Sequence, residues 1–194
     1  MGDAPTTRGD DAVVSAPAPY PRELVGHLAL RDGRVLAVRP IRPSDAGALV
    51  AFHHRLSEGA VYRRYFSWHP ELSADEVSHL TTVDYVDRLA LVVEDGDALV
   101  AVGRYDRYPG TDRAEVAFLV MDTYQRQGIG TQLLERLAAA ARQRGITTFV
   151  AETQVDNRDM LSVFNDSGFA VRRSFADGVA YVRFPIEPVA GEPS

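Results

Sequence analysis

The chain contains no cysteine and no lysine, and all 21 of its basic residues are arginine. Without cysteine the protein has no disulfide, no cysteine nucleophile and no thiolate metal site. Without lysine it has no P-loop, whose Gly-Lys-Ser/Thr sequence needs one, and it cannot acylate itself on a lysine side chain. No apolar run approaches the roughly 18 residues of a membrane helix, and the N-terminus lacks a secretion-signal pattern. Together these absences favour a cytoplasmic protein.

The charge balance is mildly acidic, with a formal net charge of −6. Nucleic-acid binding usually requires a basic face, so the composition argues against it, whereas a basic peptide or protein substrate is compatible with it. The segment Tyr62–Phe66 combines two arginines with aromatic residues, but it is short and more typical of helix packing. His53 and His54 are adjacent and point in different directions, so we expect no zinc pair and no metal site.

Composition and hydrophobic periodicity predict one folded domain between two tails. Residues 1–26 are rich in Pro, Ala, Asp and Thr without periodicity, which predicts a flexible tail. Residues 27–187 are expected to form the domain, and residues 188–194 a C-terminal tail. Hydrophobic residues make up 45% of the chain and charged residues 25%, which is ordinary for a globular protein. No fused sensor module is expected.

The order of predicted elements indicates an α/β protein with helices layered on a mixed sheet. The patterns predict a hairpin over 28–39, a helix from Pro43, a helix over 57–66, a capping-box helix over 73–82, strands over 89–94, 98–105 and 113–120, a helix over 128–144, a strand over 146–153, a helix over 157–167, and strands near 169–175 and 179–185.

The run from Val120 to Leu134 is the most informative segment of the chain. It reads as the end of a strand, a short loop, and then Gly128 and Gly130 at the start of an amphipathic helix. The first N–H groups of a helix have no intrahelical partner, and the helix dipole adds partial positive charge there. Glycines would let an anion approach these N–H groups, and Arg126 adds a full charge. The segment therefore predicts a phosphate or pyrophosphate site.

Two motifs in this order resemble those of the GNAT (Gcn5-related) N-acetyltransferases. The loop Gln125–Gly130 matches the pyrophosphate-loop pattern Gln/Arg-x-x-Gly-x-Gly/Ala, and Asn157–Phe169 is similar in spacing to Asn-x-x-Ala-x-x-Leu-Tyr-x-x-x-Gly-Phe. The resemblance covers roughly residues 28–186. It implies a mixed, mostly antiparallel central sheet flanked by helices, and acetyl-CoA as the co-substrate.

The resemblance also implies a set of coenzyme contacts. They comprise backbone groups where a strand splays from its neighbour, the pyrophosphate loop, and two later side chains: Phe118, Leu119, Val120, Arg126, Gln127, Gly128, Ile129, Gly130, Thr131, Asn157 and Phe164. Asn157 could equally be a helix N-cap, and both roles can hold together. Phe164 stands where many family members have a tyrosine that acts as general acid. A phenyl ring cannot donate a proton, so the thiolate would leave without it, or Tyr124 or Tyr62 would substitute.

Two glutamates are candidates for the general base, because the acceptor amine must lose a proton before it attacks. With no cysteine available, the attack is expected to be direct. Glu115 is the first choice, since the resemblance places the base of protein lysine acetyltransferases in its Ala-Glu-x-x-Phe context. It lies roughly 17 Å along an extended strand from the acyl-holding end, so water would relay the proton. Glu152 is the alternative, at the position implied by amino-terminal acetyltransferases.

The acceptor is indicated by a looser resemblance. Tyr62–Ser67, Leu72–Glu76 and Val83-Asp84 are similar to the acetyltransferase domain of bacterial Pat-type protein lysine acetyltransferases, which modify a lysine of acyl-CoA synthetases and similar metabolic enzymes. A small-molecule amine or a protein N-terminus is the alternative acceptor. A non-catalytic module that senses acyl-CoA is an alternative of another class.

Overall fold

An eight-stranded sheet runs through the part of the chain that this computed structural model describes, residues 18–67 and 69–187. Its strands are β1 (Gly26–Ala29), β2 (Val35–Pro40), β3 (Arg88–Asp95), β4 (Ala98–Arg107), β5 (Arg113–Val120), β6 (Thr148–Gln154), β7 (Arg172–Ala176) and β8 (Val179–Pro185). Their spatial order is β1-β2-β3-β4-β5-β6-β8-β7, and every pairing is antiparallel except that of β5 with β6. The predicted mixed, mostly antiparallel sheet is confirmed.

The helices begin and end close to the positions that the sequence predicts. They are α1 (Ala46–His54), α2 (Glu58–Tyr65), α3 (Ala74–Thr81), α4 (Ile129–Gln143) and α5 (Arg158–Asn165). The predicted capping box forms at the start of α3, where Ser73 and Glu76 exchange side-chain and backbone hydrogen bonds. Gly145 follows α4 with a φ of +74°, as expected at a helix C-terminus. None of the helices in the described ranges is long and apolar enough to cross a membrane.

Helices cover both faces of the sheet, and the core lies between the layers. Gly103 of β4 faces Leu133 of α4, whereas the next residue, Arg104, donates to a carbonyl of α3. Because side chains alternate along a strand, α4 and α3 lie on opposite faces. The predicted apolar face of α4 is fully buried, and it comprises Ile129, Leu133, Leu134, Leu137 and Ala141.

Residues 18–26 contradict the prediction of a flexible tail up to residue 26. The Tyr20 hydroxyl donates to the carbonyl of Pro40 at 3.0 Å, and its ring meets that of Tyr85 edge-on at 5.7 Å. The Arg42 guanidinium lies over the same ring at 4.4 Å. These contacts join residues far apart in sequence, so composition alone does not show them. The predicted tails at residues 1–17 and 188–194 lie outside the described residues, and so does Trp68.

The feature that positions the site is a split between β5 and β6. The two strands pair in parallel only where Arg113–Glu115 of β5 lie beside Thr148–Val150 of β6. Beyond that point β5 stays paired with β4 up to Val120, and β6 stays paired with β8 up to Gln154. The facing edges of the two strands therefore lack ladder partners, and a cleft opens between them.

Candidate active site

A cavity of about 730 Å³ occupies the split. It is lined by β5 from Glu115 to Val120, by β6 from Ala151 to Thr153, by the loop before α4 and by one side of α5. A volume of this size is typical of a small-molecule or cofactor site. The cavity brings together all but one of the residues predicted from sequence: Glu115, Phe118, Leu119, Val120, Arg126, Gly128, Ile129, Gly130, Thr131, Glu152, Asn157 and Phe164.

Gln127 is the exception, and its side chain has a structural task. Its Oε1 accepts a hydrogen bond from the Asp32 N–H at 3.2 Å, and its carbonyl accepts from the Arg31 N–H at 3.3 Å. These bonds fasten the loop to the turn between β1 and β2. The Gln127 side chain is therefore turned to the hairpin and lies outside the cavity lining, whereas its N–H belongs to the loop, and the predicted coenzyme contact at Gln127 stays a prediction.

The loop before α4 presents a series of unused N–H groups. Within the described ranges, no amide of residues 126–131 donates a hydrogen bond to another residue, and the first helical bond of α4 runs from the Gln132 N–H to the Gly128 carbonyl at 3.2 Å. Arg126 and Gly128 are both in the left-handed region, with φ of +59° and +85°. Alternating conformations of this kind form a concavity that binds anions, and the dipole of α4 adds to it. The loop thus fits the pyrophosphate of a coenzyme A thioester.

The two glycines of the motif serve different purposes. Gly128 has a positive φ, and the nearest atom to an added Cβ would be Gln132 Nε2 at 3.6 Å. At Gly130 an added Cβ would lie 2.8 Å from Cγ2 of Val163 on α5. The close approach of α5 therefore gives a packing reason for glycine at position 130, and the predicted anion contact there stays a prediction.

This contact predicts a coupling between Gly130 and Val163. Gly130→Ala is expected to destabilise the fold by about 1–3 kcal/mol through overpacking. Adding Val163→Ala should return part of that loss, because it removes the methyl that the new Cβ meets. Urea unfolding of both single variants and the double variant measures the coupling free energy. If the stability loss of the double variant equals the sum of the losses of the two single variants, this explanation of Gly130 is contradicted.

Arg31, in the turn between β1 and β2, is a site residue that the sequence analysis missed. Its Nη1 donates to the carbonyl of Arg126 at 3.4 Å, and its guanidinium contributes to the cavity wall beside Gly128. Together with Arg126 it places two positive charges at the loop. No local pattern links residues 95 positions apart, so this contribution becomes visible only in the fold.

Both candidate bases lie on the face of the sheet that carries α3. Glu115 is paired with Val150, two residues before Glu152, and side chains two apart on a strand share a face. Glu115 is half-buried and Glu152 is exposed, and both line the cavity. Partial burial raises the pKa of Tyr108, and the negative charges of Glu115 and, to a smaller extent, Glu152 raise it further. The Tyr108 N–H donates to the Arg113 carbonyl at 2.9 Å, so Tyr108 is a further titratable group at this end of β5 that the sequence analysis missed.

Comparison with known proteins decides the family. Residues 57–169 match the acetyltransferase (GNAT) family. The chain belongs to this family. It is 30% identical over 164 residues to acetyltransferase Pat of Mycolicibacterium smegmatis, covering 82% of this chain and 48% of that protein. The chain therefore spans about half the length of this relative.

Solved structures agree with the assignment. The GNAT domain of S. lividans PAT superposes with a TM-score of 0.81 and 42% identity, over 86% of this chain and 99% of that one. The yncA protein of Salmonella typhimurium, solved with its cofactor acetyl-CoA, has a TM-score of 0.62 and 18% identity, over 80% of this chain and 96% of that one. The second likeness concerns the fold alone. The chain thus has the fold of the acetyltransferase (GNAT) family to which it belongs.

In this GNAT domain Asn157 is the N-cap of α5. Its Oδ1 accepts from the Met160 N–H at 3.2 Å, and its Nδ2 donates to Oγ1 of Thr153 at 3.0 Å. The helix-cap interpretation is confirmed. One amide hydrogen and one lone pair are left over, so the predicted coenzyme contact is compatible with the cap.

Of the two tyrosines considered as general acids, Tyr124 lines the cavity but its hydroxyl is already hydrogen-bonded, and Tyr62 lies outside the cavity. The Tyr124 hydroxyl donates to Asp95 at 2.8 Å, and this hydrogen bond raises its pKa. The Tyr62 side chain is exposed and is not part of the cavity lining. Neighbouring Arg63 and Arg64 of α2 do line the cavity. The segment Tyr62–Phe66 is therefore helical up to Tyr65, as predicted, and it also borders the site.

Phe164 supplies a prediction about the leaving thiolate. Its ring is 1% exposed, packs on Phe184 at 5.7 Å and lines the cavity. The kcat of Phe164→Tyr is expected to stay within about threefold of the kcat of the unmodified enzyme, because a thiolate whose thiol has a pKa near 8.5 departs without a strong acid. Phe164→Ala should instead cost about 3–5 kcal/mol of stability. Thiol release and thermal unfolding measure the two effects, and a large rate gain in Phe164→Tyr would show that thiolate departure limits the natural enzyme.

The described residues contain no group of three or more His, Asp or Glu side chains arranged to hold a metal ion. His53 is buried and lies beside His54, His69 and Tyr65. The functional groups of the large cavity are therefore the free amides of the loop before α4, the carboxylates of Glu115 and Glu152, and the edges of β5 and β6 that face the split.

Proposed function

We propose that this GNAT enzyme transfers the acetyl group of acetyl-CoA to a lysine side chain of a protein, such as an acyl-CoA synthetase or a similar metabolic enzyme. Two similarities support the acceptor class: acetyltransferase Pat of Mycolicibacterium smegmatis and the GNAT domain of S. lividans PAT. The cytoplasmic location predicted from composition stays a prediction.

The coenzyme is expected to lie along the split between β5 and β6. The free amides of residues 126–131, with Arg126 and Arg31, suit its pyrophosphate. The edge of β5 at Phe118–Val120 would offer backbone groups to the amide-rich pantetheine arm and to the acyl carbonyl, apart from the Val120 carbonyl, which already accepts from Gln125 Nε2 at 3.0 Å. Glu115 would then lie at the closed end of the split, where the two strands begin to diverge.

Glu115 is the proposed general base. The acceptor ammonium transfers a proton through water to this carboxylate, and the neutral amine attacks the thioester carbonyl. A C–N bond forms and the C–S bond breaks, so the products are an N-acetylated amine and coenzyme A. The proton taken from the ammonium is available to solvent or to the departing thiolate. The observation that carries the proposal is the half-buried Glu115 in the same cavity as an anion-binding loop.

A second acceptor class is favoured by one observation, the exposed Glu152 in the same cavity. If Glu152 were the base, the family resemblance would indicate a protein N-terminus or a small amine as the acceptor. A module that only senses acyl-CoA is not favoured, because the relatives are named acetyltransferases.

The test is acetylation of a purified acyl-CoA synthetase by isotopically labelled acetyl-CoA, read by mass spectrometry. The absence of lysine in the enzyme helps, because every acetyl-lysine detected must come from the acceptor. The matched control is the same acceptor after reductive methylation of its lysines. We expect time-dependent label on lysine in the first sample and none in the control. Label confined to the protein N-terminus of the untreated acceptor would move the assignment to the second acceptor class.

A further inference from the structure

A second, smaller cavity of about 30 Å³ adjoins the large one. The two share five wall residues, Arg64, Tyr65, Ala117, Phe118 and Leu119. The rest of the small cavity is mainly apolar, but it includes two titratable side chains, His53 and Arg104. Its volume exceeds the roughly 10–15 Å³ that a single water requires. It is therefore large enough for a small polar group, and the shared wall places it beside the part of the large cavity that Phe118 and Leu119 line.

Arg104 is a buried cation that forms no direct ion pair among the described residues, and Asp106, the carboxylate whose charge acts on it, is paired with Arg88 at 3.0 Å. Its exposure is 7%, and burial lowers its pKa to about 10, so the guanidinium stays charged at neutral pH. Its one hydrogen bond in the described ranges runs from Nη2 to the Leu80 carbonyl at 3.0 Å, near the C-terminus of α3. A guanidinium has five N–H donors, and burying an unpaired charge is costly. The remaining donors therefore suit an anion in the cavity.

His53 gives an independent indication of a missing partner. It is 3% exposed, and neither ring nitrogen has a hydrogen-bond partner in the part of the chain described. Burial, with the nearby His69 and His54, lowers its pKa, so the ring is neutral with one N–H donor and one acceptor. Buried polar groups are nearly always paired in folded proteins. The unpaired ring thus points to a polar ligand in the same cavity.

We propose that this cavity binds the terminal carboxylate of a short dicarboxylic acyl group, so that the enzyme also accepts acyl donors such as malonyl-CoA and succinyl-CoA. The carboxylate accepts hydrogen bonds from the Arg104 guanidinium and the His53 N–H. The transfer is otherwise unchanged: the C–N bond forms at the thioester carbonyl, the C–S bond breaks, and the distal carboxylate takes no part. The inference rests on the proposed function, because it places the thioester beside Phe118 and Leu119, which border both cavities.

A purely structural role for Arg104 is the competing explanation, and Arg88 provides a matched control. Arg88 also donates to carbonyls at the end of α3, those of His79 and Thr82, but it lines neither cavity. A substitution by Met keeps most of the apolar stem and removes the charge at either position. Only the removal of the Arg104 charge should change the preference of the enzyme between acyl groups with and without a terminal carboxylate.

The experiment is calorimetry of the protein with acetyl-CoA, butyryl-CoA and succinyl-CoA. The last two have the same number of acyl carbons and differ in a terminal methyl against a carboxylate. We expect succinyl-CoA to bind about tenfold or more tightly than butyryl-CoA. Arg104→Met should abolish this preference and leave the acetyl-CoA dissociation constant within about twofold, whereas Arg88→Met should keep the preference.

A second variant keeps the proposal falsifiable if Arg104→Met does not fold. His53→Leu removes the other polar group of the cavity and should reduce the preference for succinyl-CoA over butyryl-CoA. Equal or tighter binding of butyryl-CoA by the unmodified protein, or equal effects of Arg104→Met and Arg88→Met, would overturn the inference. Failure to bind acetyl-CoA would instead overturn the proposed function, and the inference with it.

Discussion

Glu115→Gln is expected to lower kcat by about 10²–10⁴-fold, the range that a general base contributes, while the affinity for acetyl-CoA changes little. The amide keeps the size of the side chain and removes its ability to accept a full proton. The loss should shrink as the pH rises towards the acceptor pKa, near 10.4 for lysine, because more of the amine is then already neutral. Steady-state rates from pH 7 to 10, with calorimetry for acetyl-CoA, measure both effects.

Glu152→Gln is the matched control. Glu152 lies on the same face and lines the same cavity, but it is exposed where Glu115 is half-buried. If Glu115 is the base, Glu152→Gln should raise KM for the acceptor at most and leave the pH profile of kcat unchanged. The reverse outcome, with the pH-dependent loss at Glu152, would transfer the base to β6 and favour an amino-terminal acceptor.

Most of the fold can be predicted from local patterns in the sequence. The Ser73–Glu76 capping box, the apolar stripe of α4 and the glycine that follows it depend on neighbours within a few positions, so they can be interpreted without a structure. The loop before α4 is equally local, because its free amides come from consecutive residues at a helix start. Its place in the split required only that the strand before it and the helix after it be recognised.

Contacts between distant segments account for what the sequence did not show. Gln127 bonds to Asp32, and the bare Cα of Gly130 makes room for Val163, so two positions of one motif are explained by other parts of the fold. Arg31 reaches the same loop from a hairpin near the start of the domain. Arg104 reads in sequence as one polar residue at the end of an apolar strand, and only the packing of α3 makes it a buried cation. Such pairings are set by tertiary structure and leave no local signal.

A large loss of stability is also expected from a change in the ionic cluster that Arg39 of β2 forms with Asp45 and Glu94. Arg39 donates to both carboxylate oxygens of Asp45, at 2.7 and 2.9 Å, and to Glu94 at 2.6 Å. Asp45 is 7% exposed and also accepts from the Arg42 N–H at 2.7 Å. Arg39→Met should destabilise the fold by about 3–5 kcal/mol at pH 7, because it leaves a buried carboxylate without its cation.

The exposed pair of Arg34 with Asp32 at 2.9 Å is the control for this substitution. The two side chains are 44% and 37% exposed, so solvent screens their interaction. Arg34→Met should therefore cost less than about 1 kcal/mol. Urea unfolding of the three proteins at pH 7 gives both differences in free energy.

The pH dependence gives the cluster a second signature. Burial alone would raise the pKa of Asp45, but Arg39 and the Arg42 N–H hold it below its ordinary value. The stabilisation by Asp45 is therefore complete above its unfolded pKa, near 3.9, and is lost as the pH falls through the lower folded pKa. In Arg39→Met, burial should instead raise the pKa of Asp45, so that protonation at mildly acidic pH relieves the unpaired charge. The stability gap between the two proteins should accordingly narrow from pH 7 to pH 4, and a gap that stays constant over this range would contradict the role assigned to Arg39.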